Sequence, residues 1–140
     1  MILYAESSAV LAWLLGEVGE EAVRSALTAA ELVVASDLTP VECSRVLVRA
    51  QEAGHLTAGR AADLEALLSR AAAHWTLFAV GGAVLERARR PFPVEPLRTL
   101  DALHLATALV ARSAVPGIRL LSLDERVRRN GQRLGFELAC

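Results

Sequence analysis

Glu6, Glu42, Asp101 and Asp124 each stand where an apolar run gives way to a helix-like run. They are scattered along the chain, yet a parallel α/β fold would gather such positions at one edge of its sheet. Two unit charges about 4 Å apart repel by about 4 kcal/mol at an effective dielectric of about 20. Carboxylates that share a crevice therefore call for a cation, and oxygen donors suit a hard divalent one. Each acid also has a structural reading. Glu42 completes a capping box with Thr39, and Asp101 and Asp124 suit the positive end of a helix dipole, worth about 0.3–1 kcal/mol each. Glu6 is the hardest to read structurally. A charge at the end of an apolar strand must be hydrated, paired or metal-bound.

The elements that would position these acids are readable from pattern. Ile2-Leu3-Tyr4-Ala5 reads as a buried strand ended by Glu6, with Ser7 or Ser8 capping a helix through Leu15. A helix over Glu20–Ala29 and a strand over Leu32–Ala35 follow. Thr39-Pro40-Val41-Glu42 is a helix start, with Thr39 as N-cap and Pro40 as first helical residue, and Gly54 stops that helix. A further helix spans about 58–73, and Trp75–Val80 reads as a third strand before a short helix to Arg89. Pro91, Pro93 and Pro96 make an irregular loop. Thr99 caps a helix to about Ser113, and Arg119–Leu123 is the fourth strand. Ser122 and Glu125 form a second capping-box pattern opening the last helix, and Phe136–Ala139 offers a final strand. Alternating strands and helices imply one domain over residues 1–140, with a central, mainly parallel sheet of four or five strands covered on both faces.

Composition narrows the classes. With 54% hydrophobic and 22% charged residues over 140 positions, the chain can bury a core and is not a disordered segment. Its mean hydropathy of +0.37 arises from dispersed alanine, leucine and valine. The longest pure apolar stretch, Ala9–Leu15, is far short of the roughly 20 residues of a membrane span. Glu6 interrupts the one candidate signal-like run, so no membrane association is expected. Cys43 and Cys140 show no metal spacing and suggest no disulfide framework, so a cytoplasmic setting is the expectation.

The formal net charge of −1 includes 15 basic residues, every one arginine. Arginine's planar fork suits phosphate. Arg87, Arg90 and Arg98 flank the proline loop and Arg126 lies near the start of the last helix. They are either a solvated face or contacts for a phosphate backbone entering the acidic crevice. His104 shares a helical face with Asp101 and reads as a hydrogen-bonded, partly buried histidine before it reads as a ligand. No glycine-rich phosphate loop, nucleophile elbow or zinc spacing is present.

With these motifs in hand, the chain resembles the PIN-domain family, and within it the small VapC-type ribonuclease toxins of toxin–antitoxin pairs. The resemblance rests on Ile2-Leu3-Tyr4-Ala5-Glu6-Ser7-Ser8-Ala9-Val10-Leu11, on Thr39-Pro40-Val41-Glu42, on Leu100-Asp101-Ala102-Leu103-His104-Leu105-Ala106-Thr107-Ala108, and on Leu121-Ser122-Leu123-Asp124-Glu125-Arg126 with Leu134-Gly135-Phe136. It implies a PIN-like three-layer α/β/α domain and metal-assisted phosphodiester hydrolysis in RNA. Glu6, Glu42, Asp101 and Asp124 would hold Mg²⁺ or Mn²⁺, with Ser8 and Ser122 in support. It also implies a homodimer and a cognate antitoxin that inserts a segment, often with an arginine, near the acids.

One departure stands out, since the family usually carries aspartate where this chain has Glu6. Glutamate keeps the charge and adds a methylene, and Mg²⁺ is strict about octahedral geometry. The departure keeps open an alternative, a catalytically weakened PIN-like binding module acting through protein partners. A metal-dependent phosphatase on another doubly wound sheet is disfavoured, because no D-x-D follows the first strand.

Overall fold

The apolar runs form four strands that pair only in parallel. In the computed structural model, which describes all 140 residues, these are β1 (Ile2–Ala5), β2 (Leu32–Ser36), β3 (Thr76–Phe78) and β4 (Ile118–Leu121). Their order across the sheet is β3-β2-β1-β4. Ile2 registers with Leu32 on one side and Ile118 on the other. The strand order reverses at β1, so the crevice beyond the carboxyl ends of β1 and β4 is the topological switch point, where such sheets bind ligands. Glu6 follows β1 there, and its backbone N–H donates to the carbonyl of Leu121 at 2.9 Å.

Seven helices complete the chain: α1 (Ser7–Leu15), α2 (Glu20–Ala29), α3 (Leu38–Glu52), α4 (Ala58–Ala72), α5 (Gly82–Ala88), α6 (Thr99–Ala114) and α7 (Glu125–Arg133). Side chains along a strand alternate between the two faces of the sheet. Leu3, Ala5 and Leu121 join a core with Val10, Leu14, Val23, Cys43 and Leu68 from α1–α4. Tyr4 and Leu120 join the opposite core with Val84, Leu105, Ala106, Val127 and Phe136. The result is the expected three-layer α/β/α arrangement with a four-stranded sheet. No helix is long and apolar enough to cross a membrane.

Several local expectations shift. The third strand shrinks from Trp75–Val80 to Thr76–Phe78, because β3 is an edge strand paired only with β2. The expected final strand is one parallel bridge between Leu120 and Leu138. Helix α3 starts at Leu38, before Thr39, so Thr39 is a buried helical residue and caps nothing. The caps of α1 and α7 are Glu6 and Asp124, whose carboxylates accept from the N–H groups of Ser8 and Val127. Arg98, one residue ahead of Thr99, occupies the N-cap position of α6.

Helix α7 lies close on the sheet because it presents Gly131 to Leu120. A Cβ built on Gly131 would sit 2.3 Å from Leu120 Cδ2, and Leu120 is 1% exposed, so its side chain would have to shift within the packed core. Gly131→Ala is therefore expected to destabilise the protein by about 1–3 kcal/mol despite alanine's better helix propensity. A urea melt checks this, and a gain in stability would contradict the packing.

The proline loop ahead of α6 is tied down at several points. Buried Asn130 of α7 accepts from the Val94 N–H and donates to the Val94 carbonyl, both at 2.9 Å. Phe92 N–H donates to the Glu95 carboxylate at 2.9 Å, and the Arg87 guanidinium stacks 4.2 Å over the Phe92 ring. This segment delivers Arg98 to the carboxyl edge of the sheet.

Candidate active site

Glu6 is 4% exposed, yet both of its carboxylate oxygens are hydrogen-bonded. Its Oε1 accepts from the Ser8 N–H at 3.2 Å, and its Oε2 accepts from the hydroxyls of Ser8 and, at 2.7 Å, Ser122. The Ser8 hydroxyl in turn accepts from the N–H groups of Leu123 at 2.9 Å and Asp124 at 3.1 Å. A buried carboxylate is tolerable when hydrogen bonds replace its water. Ser122 does not serve as the N-cap of α7, as its capping-box pattern suggested: the helix begins at Glu125 with Asp124 as its cap, and the Ser122 hydroxyl instead donates to Glu6 and accepts from the Asp124 N–H at 3.2 Å.

Glu42 lies one turn into α3 and does not cap that helix either. Its Oε1 accepts from the Ser7 hydroxyl at 3.2 Å and is hydrogen-bonded to His104 Nε2. His104 is 1% exposed, and its Nδ1 is 3.1 Å from the Tyr4 hydroxyl. Burial pulls the His104 pKa down. The hydrogen bond to Glu42 and the charges of Glu6, Glu42 and Asp101 outweigh that and leave it above the ordinary histidine value. Burial, then the charge of Glu6, raises the Tyr4 pKa well above the tyrosine range, so its hydroxyl stays neutral.

Asp101 and Asp124 share a cation supplied by the chain itself. Arg98 Nε donates to Asp101 Oδ2 at 3.1 Å, and Arg98 Nη2 is 3.6 Å from Asp124 Oδ2. The Asp101 side chain is 9% exposed and that of Arg98 is 69% exposed. The hydrogen bond to Asp101, then the charges of Asp101 and Asp124, raises the Arg98 pKa. A small cavity of about 330 Å³ opens here, lined by Glu42, Arg98, Thr99, Leu100 and Asp101.

All four acids thus lie at the carboxyl edge, joined through Ser7, Ser8, Ser122, His104 and Arg98. No three Asp, Glu, His or Cys side chains are close enough to share one ion in this arrangement. Arg98 holds Asp101 and Asp124, and His104 holds Glu42. The donor chemistry nonetheless fits a hard divalent cation, because every acid offers carboxylate oxygen and no thiolate is near the mouth.

The remaining arginines separate. Arg87 is spent on the loop, donating to the Arg90 and Pro91 carbonyls and covering Phe92. Arg90 and Arg126 are exposed. Tyr4 and Ser7 carry site contacts that sequence reasoning did not assign. Tyr4 sits inside an apolar run, and its partner is a hundred positions away. Cys43 is buried, and burial, then the charges of Glu42, Glu6 and Glu65, pushes its thiol up to about 12. Only the exposed Cys140 is expected to react with iodoacetamide in the folded protein. Mass spectrometry before and after unfolding checks this, and native labelling of Cys43 would contradict its burial.

Comparison with known proteins identifies the family. The family model for the PIN domain matches residues 3–132. Ribonuclease VapC46 of Mycobacterium tuberculosis is 37% identical over 134 residues, covering 96% of this chain and 93% of that protein. With its four acids on the carboxyl edge of a parallel sheet and a match over nearly its whole length, this chain belongs to the PIN-domain family, on its VapC-type branch.

Proposed function

We propose that this protein is a metal-dependent endoribonuclease, the toxin of a type II toxin–antitoxin pair. The observation that carries the proposal is the set of four acids at the β1–β4 switch point, in a chain 37% identical to a protein named as a ribonuclease. Glu6, Glu42, Asp101 and Asp124 would hold Mg²⁺ or Mn²⁺. Such an ion supplies Lewis acidity toward the phosphate and an acidified water near neutral pH. The chain's own residues do the rest. Ser8 and Ser122 fix the Glu6 carboxylate, and His104, braced by Tyr4, aims Glu42. The substrate on this reading is RNA presented as a single strand or loop. Arg98, Arg90 and Arg126 are the exposed candidates for phosphate contact, and Arg87 is a weaker one because its guanidinium already serves the loop.

The same reading includes a cytoplasmic setting, a homodimer and a cognate antitoxin. Leu85 at 49% and Leu100 at 46% exposure, beside the groove lined by Ala88, Phe92, Leu97 and Leu103, support burial against another protein surface. The negative crevice supports capture of an antitoxin arginine.

The test is cleavage of bulk RNA by the purified protein with Mg²⁺ or Mn²⁺, with EDTA, and after metal is restored. Metal-dependent fragments that vanish with EDTA are expected. No cleavage by the native chain, with fragments appearing in Glu6→Asp, would instead identify the weakened binding module.

A further inference from the structure

We infer that Arg98 is a built-in competitor for the catalytic cation: its guanidinium occupies the Asp101–Asp124 pair until a divalent ion displaces it. The inference rests on the proposed metal dependence and extends it to a residue outside the acidic set.

Three observations carry it. Arg98 reaches both acids at once, 3.1 Å from one carboxylate oxygen of Asp101 and 3.6 Å from one of Asp124. The same guanidinium lines the small cavity with Glu42 and Asp101, so it stands inside the crevice, not on a remote rim. Its side chain is 69% exposed, so it can leave without opening the core. Its backbone is not free to leave. Residue 98 ends a loop pinned to α7 through Asn130 and Val94, and its carbonyl accepts from the Ala102 N–H at 2.9 Å. The arginine therefore swings from a fixed hinge.

Charge balance makes the exchange physical. An exposed ion pair contributes little net stability. Two carboxylates facing one another without a counter-ion would nevertheless repel, and Arg98 neutralises them. A divalent ion that binds both acids must first release the guanidinium, so its apparent affinity falls by the fraction of molecules in which Arg98 is seated. The released guanidinium remains at the mouth of the crevice, where a substrate phosphate is the next anion within reach.

The test is calorimetric titration of Mn²⁺ alone into the full chain, beside Arg98→Gln, Arg98→Lys, Arg133→Gln and Asp101→Asn. Arg133 is exposed in the last turn of α7, and nine residues of helix place it about 13 Å along the axis from Asp124. It controls for loss of a positive charge in general. Arg98→Gln is expected to bind Mn²⁺ about two- to fivefold more tightly than the native chain, the range a weak exposed pair can withhold, with Arg98→Lys between them and Arg133→Gln close to native. Binding that is unchanged or weaker in Arg98→Gln, while Asp101→Asn still loses affinity, would overturn the competitor role and leave the metal site standing. Failure of both the native chain and Arg98→Gln to bind would overturn both. A native chain that binds poorly beside an Arg98→Gln variant that binds well would be the clearest support. Thermal melts of each variant confirm folding, which changes at exposed Arg98 and Arg133 should not disturb.

Discussion

Asp101→Asn is expected to lower RNA cleavage by at least about a hundredfold, the scale on which a single electrostatic group at a reacting centre contributes, and to leave the fold intact. The substitution keeps the shape of the side chain and removes only its charge. Asp101 is 7% exposed and lies in the first turn of α6, where neighbours fix its position. Its lost partner, Arg98, is exposed and can hydrate, so the broken ion pair costs little. The loss of charge also relieves repulsion from Glu6, Glu42 and Asp124. Activity should therefore fall without a matching fall in melting temperature. Single-turnover cleavage with Mn²⁺ beside a thermal melt checks both halves. Cleavage within a few fold of native would remove Asp101 from the machinery, and a collapse of the melt would show that its role is structural.

His104→Ala is expected to have the largest effect on stability, about 4 kcal/mol, because it combines a cavity with stranded polar groups. His104 and Tyr4 are 1% and 0% exposed, and the imidazole is the hydrogen-bonding partner of the Tyr4 hydroxyl, the Ser7 hydroxyl and the Glu42 carboxylate. Truncation takes the histidine from the Tyr4 hydroxyl, which keeps Thr107 and the Ser36 backbone, and leaves Glu42 with Ser7 alone. Tyr4→Phe removes only one end of the chain of bonds and is expected to lose about 1 kcal/mol. Urea denaturation of both variants orders them, and a loss in His104→Ala below that of Tyr4→Phe would contradict the placement of histidine at the centre of the network.

The sheet and its acids were legible because each is marked by a local change. An apolar run stops, a charge appears and a helical pattern begins. That signal is visible at Glu6 and at Asp124 without knowing what lies beside them. Two capping boxes were misread for the same local reason. Thr39 to Glu42 and Ser122 to Glu125 both fit the capping-box spacing, yet α3 begins at Leu38 and α7 at Glu125, and the side chains pair at long range instead, Glu42 with His104 and Ser122 with Glu6. Those partners are 62 and 116 positions away. Local spacing and long-range pairing compete for the same side chain, and only the folded chain shows which wins. The shortened β3 has a similar origin, since the extent of an edge strand depends on its one neighbour. Arg98 looked like one of several arginines flanking a loop, and nothing in its neighbourhood of sequence distinguishes it from Arg90. Its link to Asp124 is a tertiary fact.

The stitching of residues 6–8 to residues 121–124 has a consequence in time. The Glu6 N–H waits for the Leu121 carbonyl, and the Ser8 hydroxyl waits for the N–H groups of Leu123 and Asp124. A ribosome adding about 5–20 residues per second makes the opening acid first and the residues that brace it nearly last. Until α6 emerges the nascent chain holds Glu6 and Glu42 without Asp101, and until β4 slides in beside β1 their edge is unfinished and Asp124 is not in place. On the proposed ribonuclease function, the protein is, by the order of its strands, unarmed for most of its synthesis.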